Sequence, residues 1–282
     1  MLRQNGGVCL RSAVALDWID QLRDGVEEAL ANPSQFSKTK TRPNEMGRFV
    51  KETFVSTIRP SFQQVVVESN IAAIAATFMG RPQVRFVYDT WLAKYPGTAR
   101  RTYWHQDHGI DGQCLIVWLP LDPVPKGSGV ELLRGTHRHG ACYYRGRFAD
   151  VIEQAASSGQ IDMNDSGGRR LLPMSEIEDN LDDYEIMSWE MEPGDCLVLD
   201  CYVVHGGGGN FGTSPIRRYS SRWMEPEARM TPHGAAIGDH VVAENVNVPL
   251  RRVDGINFDG DAYPLLPVQT EARRTDHKLA GS

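Results

Sequence analysis

No stretch of these 282 residues approaches the roughly 20 consecutive apolar residues that a membrane helix needs, and Met1 to Leu16 holds no apolar run long enough for a secretory signal. Neither membrane insertion nor export is therefore expected. Cysteine is scarce: Cys9, Cys114, Cys142, Cys196 and Cys201 are odd in number, show no C-x-x-C spacing and mostly lie in apolar runs. That usage fits reduced thiols in a reducing cytoplasm better than a disulfide framework. No block of Lys and Arg with interleaved aromatics is present, and 30 basic against 36 acidic residues leave a net charge of −6. Such a chain has no global attraction for nucleic acid or anionic lipid, so the expected partner is a small molecule. Oligomeric state is not readable from the pattern. Internal repeats and persuasive linkers are also lacking.

What is there describes an ordered globular protein. The hydrophobic fraction of 41%, the charged fraction of 23% and the 6 Trp, 9 Tyr and 9 Phe argue against disorder, and the length suits one domain with elaborations. Apolar residues Leu16, Ile19, Leu22, Val26 and Leu30 recur at helical spacing before Pro33. After a polar stretch from Ser34 to Glu45, Pro60 opens a second predicted helix that runs through Phe62, Val66, Ile71, Ile74 and Phe78 to Gly80-Arg81-Pro82. Residues 1–82 are thus expected to be mainly helical. From Gln83 the pattern changes to β-branched and aromatic runs: VRFVYDTWLAK, CLIVWLPL, GVELL, YEIMSWEM, DCLVLDCYVVH and RRYSSRWM. The fold class expected is mainly β with flanking helices, a double-stranded β-helix or cupin-like jelly roll over residues 83–225, within a single domain spanning 1–282. A polar, acidic insert at about 145–183 is the kind of segment that forms lids or binding loops. Residues 226–282 are expected to form a C-terminal extension, of which Asn257 to Ser282 either caps the barrel or trails as a loose tail.

The chemistry-bearing residues begin at Trp104-His105-Gln106-Asp107. Residues i and i+2 of a strand share a face, so His105 and Asp107 are able to reach one ion while Gln106 points elsewhere. Taken alone, His-x-Asp reads equally as a hydrogen-bonded core or surface pair. His205, 98 positions after Asp107, ends the apolar run CYVVH and enters GGGGN, where four glycines remove side chains around whatever the imidazole approaches; the competing reading is a glycine-rich hairpin beside a structural histidine. Two imidazoles and a carboxylate make a facial triad, which leaves coordination positions of an Fe(II) open. Twelve residues past His205, Arg217 opens RRYSSRW, where a guanidinium is suited to clamp a carboxylate; the alternative is a solvated strand charge.

This ordered set, His-x-Asp, a distal His and then Arg, resembles the Fe(II)- and 2-oxoglutarate-dependent oxygenases, specifically the phytanoyl-CoA dioxygenase family. The likeness extends from about Gly47 to Trp223 through Gly47-Arg48-Phe49, Lys94-Tyr95-Pro96-Gly97, WHQD, LIVWLPLD, Gly135-Thr136-His137, EPGD, HGGGGN and RRYSSRW. The resemblance implies that His105, Asp107 and His205 are catalytic iron ligands, that Arg217 pairs with the distal carboxylate of 2-oxoglutarate, and that Thr90 and Trp118 flank that co-substrate. The family usually has its Arg eleven residues past the distal His, where this chain has Ile216. One extra residue in the GNFGTSPI turn accounts for Arg217 as the inward residue, with Arg218 as the alternative. His108, His137 and His139 are lesser candidates, His137 being structural in the GTH turn.

The resemblance also implies a cycle that consumes Fe(II), 2-oxoglutarate and O2, releases succinate and CO2, and hydroxylates a small organic substrate. The carboxylate of Asp107 stands where related halogenases have a small residue, which favours hydroxylation over halogenation; desaturation and rearrangement share the first half of the cycle. Two other readings remain open: a non-catalytic jelly-roll binding or sensor protein, and a Zn- or Mn-dependent cupin-type isomerase or hydrolase. Arg48, Lys51, Arg100, Arg101 and Arg145 would suit an anionic substrate, although scattered basic residues are more commonly plain surface.

Overall fold

A computed structural model describes residues 1–40, 46–107, 109–237 and 265–267. The strands in chain order are β1 (Gly7–Leu10), β2 (Ser37–Lys40), β3 (Phe49–Thr53), β4 (Gln83–Lys94), β5 (Thr102–His105), β6 (Ile110–Asp111), β7 (Cys114–Pro120), β8 (Val130–Leu133), β9 (Ala141–Tyr144) and β10 (Arg170–Pro173). They continue with β11 (Ile186–Ser188), β12 (Cys196–Asp200), β13 (His205–Gly207), β14 (Ile216–Met224), β15 (Arg229–Met230) and β16 (Leu265–Pro267).

Two antiparallel sheets face each other. The major one runs β1-β12-β7-β14-β4-β3-β2, with β16 also pairing with β4; the minor one runs β11-β8-β13-β5. From β4 onward the chain crosses repeatedly between the sheets, as in the steps β4 to β5, β7 to β8 and β12 to β13 to β14, which is the jelly-roll arrangement expected from the strand pattern. Side-chain alternation divides the major sheet cleanly. Tyr219 and Trp223 of β14, Trp91 and Ala93 of β4 and Val50 of β3 face outward into a core shared with Ile19, Leu22, Val26, Phe62, Val65 and Ile71 of the helices. Ile116, Trp118, Leu197, Leu199 and Met224 face inward, toward the minor sheet.

The helix Leu16–Ala31 forms where its periodicity predicts, burying Ile19, Leu22, Val26 and Ala29. The second predicted helix is two helices, Pro60–Glu68 and Ile71–Met79. Ser69 adopts an extended backbone (φ −76°, ψ 170°) and its Oγ accepts the amide of Ile71, at 3.3 Å, so a local side-chain bond interrupts the ladder that apolar spacing alone continues. Residues 1–82 also supply β1, β2 and β3 to the major sheet. The polar stretch after Ser34 is therefore partly an edge strand, SKTK, whose Lys residues suit an exposed edge.

The run DCLVLDCYVVH is not one strand. β12 ends at Asp200, whose Oδ1 accepts the amide of Tyr202 at 2.8 Å while its carbonyl accepts that of Val203 at 3.1 Å. This Asx turn carries the chain from the major to the minor sheet, and His205 becomes the first residue of β13 rather than the last of an apolar strand. Residues 145–183 form a small annex: a helix, Ala149–Ser157, and β10, which pairs in parallel with β9 and packs Leu171 and Ile152 against Tyr202. Expectations for residues 238–264 and 268–282 of the C-terminal extension lie outside the described residues.

Candidate active site

β5 and β13 pair antiparallel with His105 opposite His205, so the register alone brings together two imidazoles that are far apart in sequence. Their ring centroids lie 4.2 Å apart. Asp107 follows β5 by two residues; its amide donates to the carbonyl of Cys201 at 3.0 Å, which fixes the carboxylate beside the two rings. Ligand atoms of His105, Asp107 and His205 all fall within 4.8 Å of one another. Asp107 is thus held outside a strand, by a bond to the sheet-switching turn, and not by strand alternation. Gln106 points away as expected: its Nε2 donates to the Tyr202 carbonyl at 2.6 Å and its Oε1 accepts the Tyr143 amide at 2.7 Å.

The backbone sets the tautomers. His105 Nδ1 lies 2.8 Å from the carbonyl of Tyr103, and His205 Nδ1 lies 3.0 Å from that of Val203. A carbonyl only accepts, so each Nδ1 carries the proton and each Nε2 keeps a free lone pair. Burial is the main influence that lowers both histidine pKa values, that of His105 to about 3. Burial pushes the Asp107 carboxyl up, but Arg222 and then the two imidazoles outweigh it and hold the group well below the usual carboxylate range. Two neutral imidazoles and one carboxylate form a donor set suited to a divalent transition metal.

Arg222 was not foreseen. Its Nε and Nη2 reach Asp107 Oδ2 at 2.8 and 2.7 Å, and its Nη1 donates to Ser220 Oγ at 2.7 Å. One carboxylate oxygen is thereby engaged, while Oδ1 sits 3.6 Å from His105 Nε2. The sequence did carry a signal, since positions 218, 220 and 222 share one face of a strand.

That same alternation corrects Arg217. Its guanidinium lies on the outer face, where Nε and Nη2 pair with Asp122 at 2.9 and 2.7 Å and Nη1 reaches Glu27 of the first long helix at 2.6 Å. Arg218 is the inward guanidinium, 3% exposed, and lies thirteen positions past His205. Two extra residues relative to an eleven-residue spacing preserve strand phase, whereas one inverts it. Arg218 donates to the carbonyl of Ser128 and sits 5.7 Å from the Trp118 ring; its Nε finds no partner among the described residues. An orphaned donor on a buried cation marks a place for an anion.

Thr90, Ser220 and Trp118 form one cross-strand row on the inner face of β4, β14 and β7, adjoining the row of Leu92, Arg218 and Pro120. The structure thus brings Thr90 and Trp118 beside Arg218. Lys94, likewise buried and unanticipated, donates to the Gly208 carbonyl and lies 5.1 Å from the Phe49 ring; burial and Arg218 lower its pKa to about 6. Of the lesser histidines, His137 Nε2 lies 3.2 Å from the Arg3 carbonyl and His139 Nδ1 3.0 Å from the Tyr143 hydroxyl, both away from the triad; His108 lies outside the described residues.

The glycines after His205 have a different role from the one their spacing suggests. A Cβ on Gly208 would stand 1.9 Å from the Gly127 carbonyl oxygen, and one on Gly209 would stand 2.4 Å from that of Thr98. They admit neighbouring backbone, not a ligand. No described helix is long and apolar enough to cross a membrane, and all five cysteines are free thiols.

Comparison with known proteins gives consistent findings. The family model described as phytanoyl-CoA dioxygenase matches residues 2–219. Among solved structures, the non-heme alpha-ketoglutarate-dependent carbocyclase SnoK from nogalamycin biosynthesis is 16% identical with a TM-score of 0.69, over 94% of this chain and 93% of that one. The epimerase SnoN from the same biosynthesis is 18% identical with a TM-score of 0.65, over 94% and 95%. EctD from S. alaskensis, solved with 2-oxoglutarate and 5-hydroxyectoine, is 17% identical with a TM-score of 0.60, over 81% and 75%. At these identities the likeness establishes a shared fold. A search of curated protein sequences finds no match.

Proposed function

This chain belongs to the phytanoyl-CoA dioxygenase family, and from that premise we propose that it is an Fe(II)- and 2-oxoglutarate-dependent oxygenase that hydroxylates a small organic substrate. Enzymes of this family use Fe(II), 2-oxoglutarate and O2. The single observation that carries the reading is the presence, in the same barrel, of the His105, Asp107 and His205 cluster and of a buried guanidinium, Arg218, whose Nε has no partner among the described residues. A Zn or Mn hydrolase needs the triad but has no use for Arg218.

The residues present fit the group. His105 Nε2, Asp107 Oδ1 and His205 Nε2 would hold Fe(II), with both Nδ1–H groups tied to backbone carbonyls. Bound there with 2-oxoglutarate, the iron supplies the means to activate O2 and oxidise a C–H bond. Arg218 would bind the distal carboxylate of the co-substrate, with Thr90 and Trp118 walling the inner face. Arg222 orients Asp107 and occupies one of its oxygens, which favours single-oxygen ligation. His105 and Asp107 remain 21% and 15% exposed while His205 is 6% exposed, so the triad faces an opening through its first two members.

Hydroxylation, as against the epimerisation and carbocyclisation named for SnoN and SnoK, is the finer part of the reading. Turnover under 18O2 tests it: we expect one 18O atom in the product and one in succinate. An oxidised or rearranged product lacking 18O would replace hydroxylation while keeping the oxygenase class.

A further inference from the structure

Lysines and arginines from two sides line the opening of the barrel. Across the β2–β3 pair Lys38 stands directly opposite Lys51 and Lys40 opposite Phe49, so these side chains share one face. It is the inner face, because Val50 of β3 belongs to the outer core and Glu52 bonds the outward Trp91. From the other side, the turn after β9 brings Arg145 over the ring of Tyr103 at 5.2 Å, two residues before His105, and Arg147 lies beside it.

The two groups face each other closely enough to interact. Lys40 feels Arg100, Arg145, Arg147 and Lys38; Lys51 feels Lys40, Lys38, Arg222 and Arg147; every one of these neighbours is positive. Burial is the largest influence on both lysines, and the surrounding cations add to it, bringing the Lys51 ammonium down to about 8. Arg145 has one acid in its surroundings, Glu178, and that effect is smaller than those of burial and Arg147. Among the described residues no carboxylate pairs with Lys40, Lys51, Arg100, Arg145 or Arg147. This chain has a net charge of −6, and elsewhere it does pair its arginines: Arg11, Arg59, Arg81, Arg101, Arg134 and Arg217 all have acidic partners.

Unneutralised like charges held together destabilise a fold, and they are found where a ligand of opposite sign completes them. We propose that this rim is the docking site for the primary substrate, and that the substrate carries a dianionic head such as a phosphate ester, held by Lys40, Lys51, Arg100, Arg145 and Arg147 over the His105, Asp107 and His205 triad. A dianion is favoured over a single carboxylate because five cations from two sides converge, and guanidinium forks match the edges of a phosphate. Proximity ties the rim to the triad: Arg145 acts on His105, and Lys51 acts on Arg222, which holds Asp107. The inference rests on the proposed oxygenase reading only for the identity of the molecule as its substrate.

The test is a calorimetric titration of the full-length protein with phenyl phosphate, with and without 2-oxoglutarate, using benzyl alcohol as the neutral control. We expect one saturable site for phenyl phosphate and none for benzyl alcohol. Lys51→Met and Arg145→Gln should each weaken binding about tenfold, as the loss of one charge-assisted hydrogen bond implies. Both variants should melt at or above the wild-type temperature without ligand, because repulsion is relieved, which excludes misfolding as the cause. Absence of phenyl phosphate binding, or unchanged binding in both variants, overturns the proposal. Equal weakening of 2-oxoglutarate in the two variants would also overturn it, by assigning the rim to the co-substrate. Failure of the wild-type protein, loaded with Fe(II) under anaerobic conditions, to bind 2-oxoglutarate at all would instead strike the oxygenase reading, and the phenyl phosphate result would stand apart from it.

Discussion

At the scale of single residues, the account turns on which of two adjacent arginines faces inward. Arg217 is satisfied by Asp122 and Glu27 outside the barrel, while Arg218 is buried and its Nε has no partner among the described residues. If Arg218 is the proposed partner of the co-substrate carboxylate, Arg218→Ala should raise the Kd for 2-oxoglutarate by about a hundredfold, the equivalent of roughly 2.7 kcal/mol. Arg217→Ala should leave that Kd within about twofold and lower the melting temperature through loss of the link to the helix. Equilibrium titration of both variants decides, and a larger effect from Arg217 would reverse the assignment. Lys94 gives a pH prediction. Its folded pKa is depressed to about 6, chiefly by burial. A depressed group contributes stability that is present above its unfolded pKa of about 10.4 and is lost as pH falls toward the folded value. Lys94→Met removes that loss, so it should stabilise by about 1 kcal/mol or more at pH 7 and by progressively less toward pH 10. Denaturation across that range checks it; a gain that grows with pH would contradict it.

At the scale of elements, the site depends on how strands meet. His105 and His205 are opposed by the β5–β13 register, and the strand carrying His205 is placed by the Asp200 turn and by Thr136, whose Oγ1 accepts the Val204 amide at 2.9 Å and donates to the Leu133 carbonyl at 2.9 Å. Beyond His205 the glycine run lies against neighbouring backbone, so Gly208→Ala, which drives a Cβ into the Gly127 carbonyl, should destabilise by ~2–4 kcal/mol, as overpacking against rigid backbone does. It should also weaken metal binding, because Gly208 is three residues from His205, one of the proposed ligands. Thermal melts and metal titration of the same variant read both effects; a neutral substitution would mean the chain relaxes freely there.

The long strands β4, β7 and β14 were legible because alternation or, in β7, continuous hydrophobicity persists over many residues. The break inside DCLVLDCYVVH was not, since Cys201, Tyr202 and Val203 are as apolar as a strand and only the Asx bond of Asp200 turns the chain. The Ser69 interruption escaped for the same reason: one side-chain oxygen decides it. The triad residues were recognisable as chemistry, but their mutual placement comes from cross-strand register, which no local pattern encodes. The phase of Arg217 and Arg218 was recoverable in principle, because Tyr219 and Trp223 are the large apolar residues of the outer face and Arg217 shares their parity.

At the scale of the whole molecule, one barrel performs two tasks. Its outer face and helices supply the main apolar core, and one part of its interior is apolar too, around Ile116, Leu197, Leu199 and Met224. The remaining interior is polar, with Asp107, Arg222, Ser220, Arg218 and Lys94 along it, and at the opening lie Lys40, Lys51, Arg100, Arg145 and Arg147, with no carboxylate paired to them among the described residues. A fold that keeps so much buried charge gives up stability at the place where ligands bind. Binding of the metal and 2-oxoglutarate should restore part of it by mass action.

The most direct test of the central claim is anaerobic titration of the metal-free protein with Fe(II) and then 2-oxoglutarate, followed by visible absorption. The account predicts a weak metal-to-ligand charge-transfer band that saturates at one equivalent of each, and that is absent in His205→Ala and strongly weakened in Arg218→Ala. Iron binding with no such band, at any 2-oxoglutarate concentration, would contradict it.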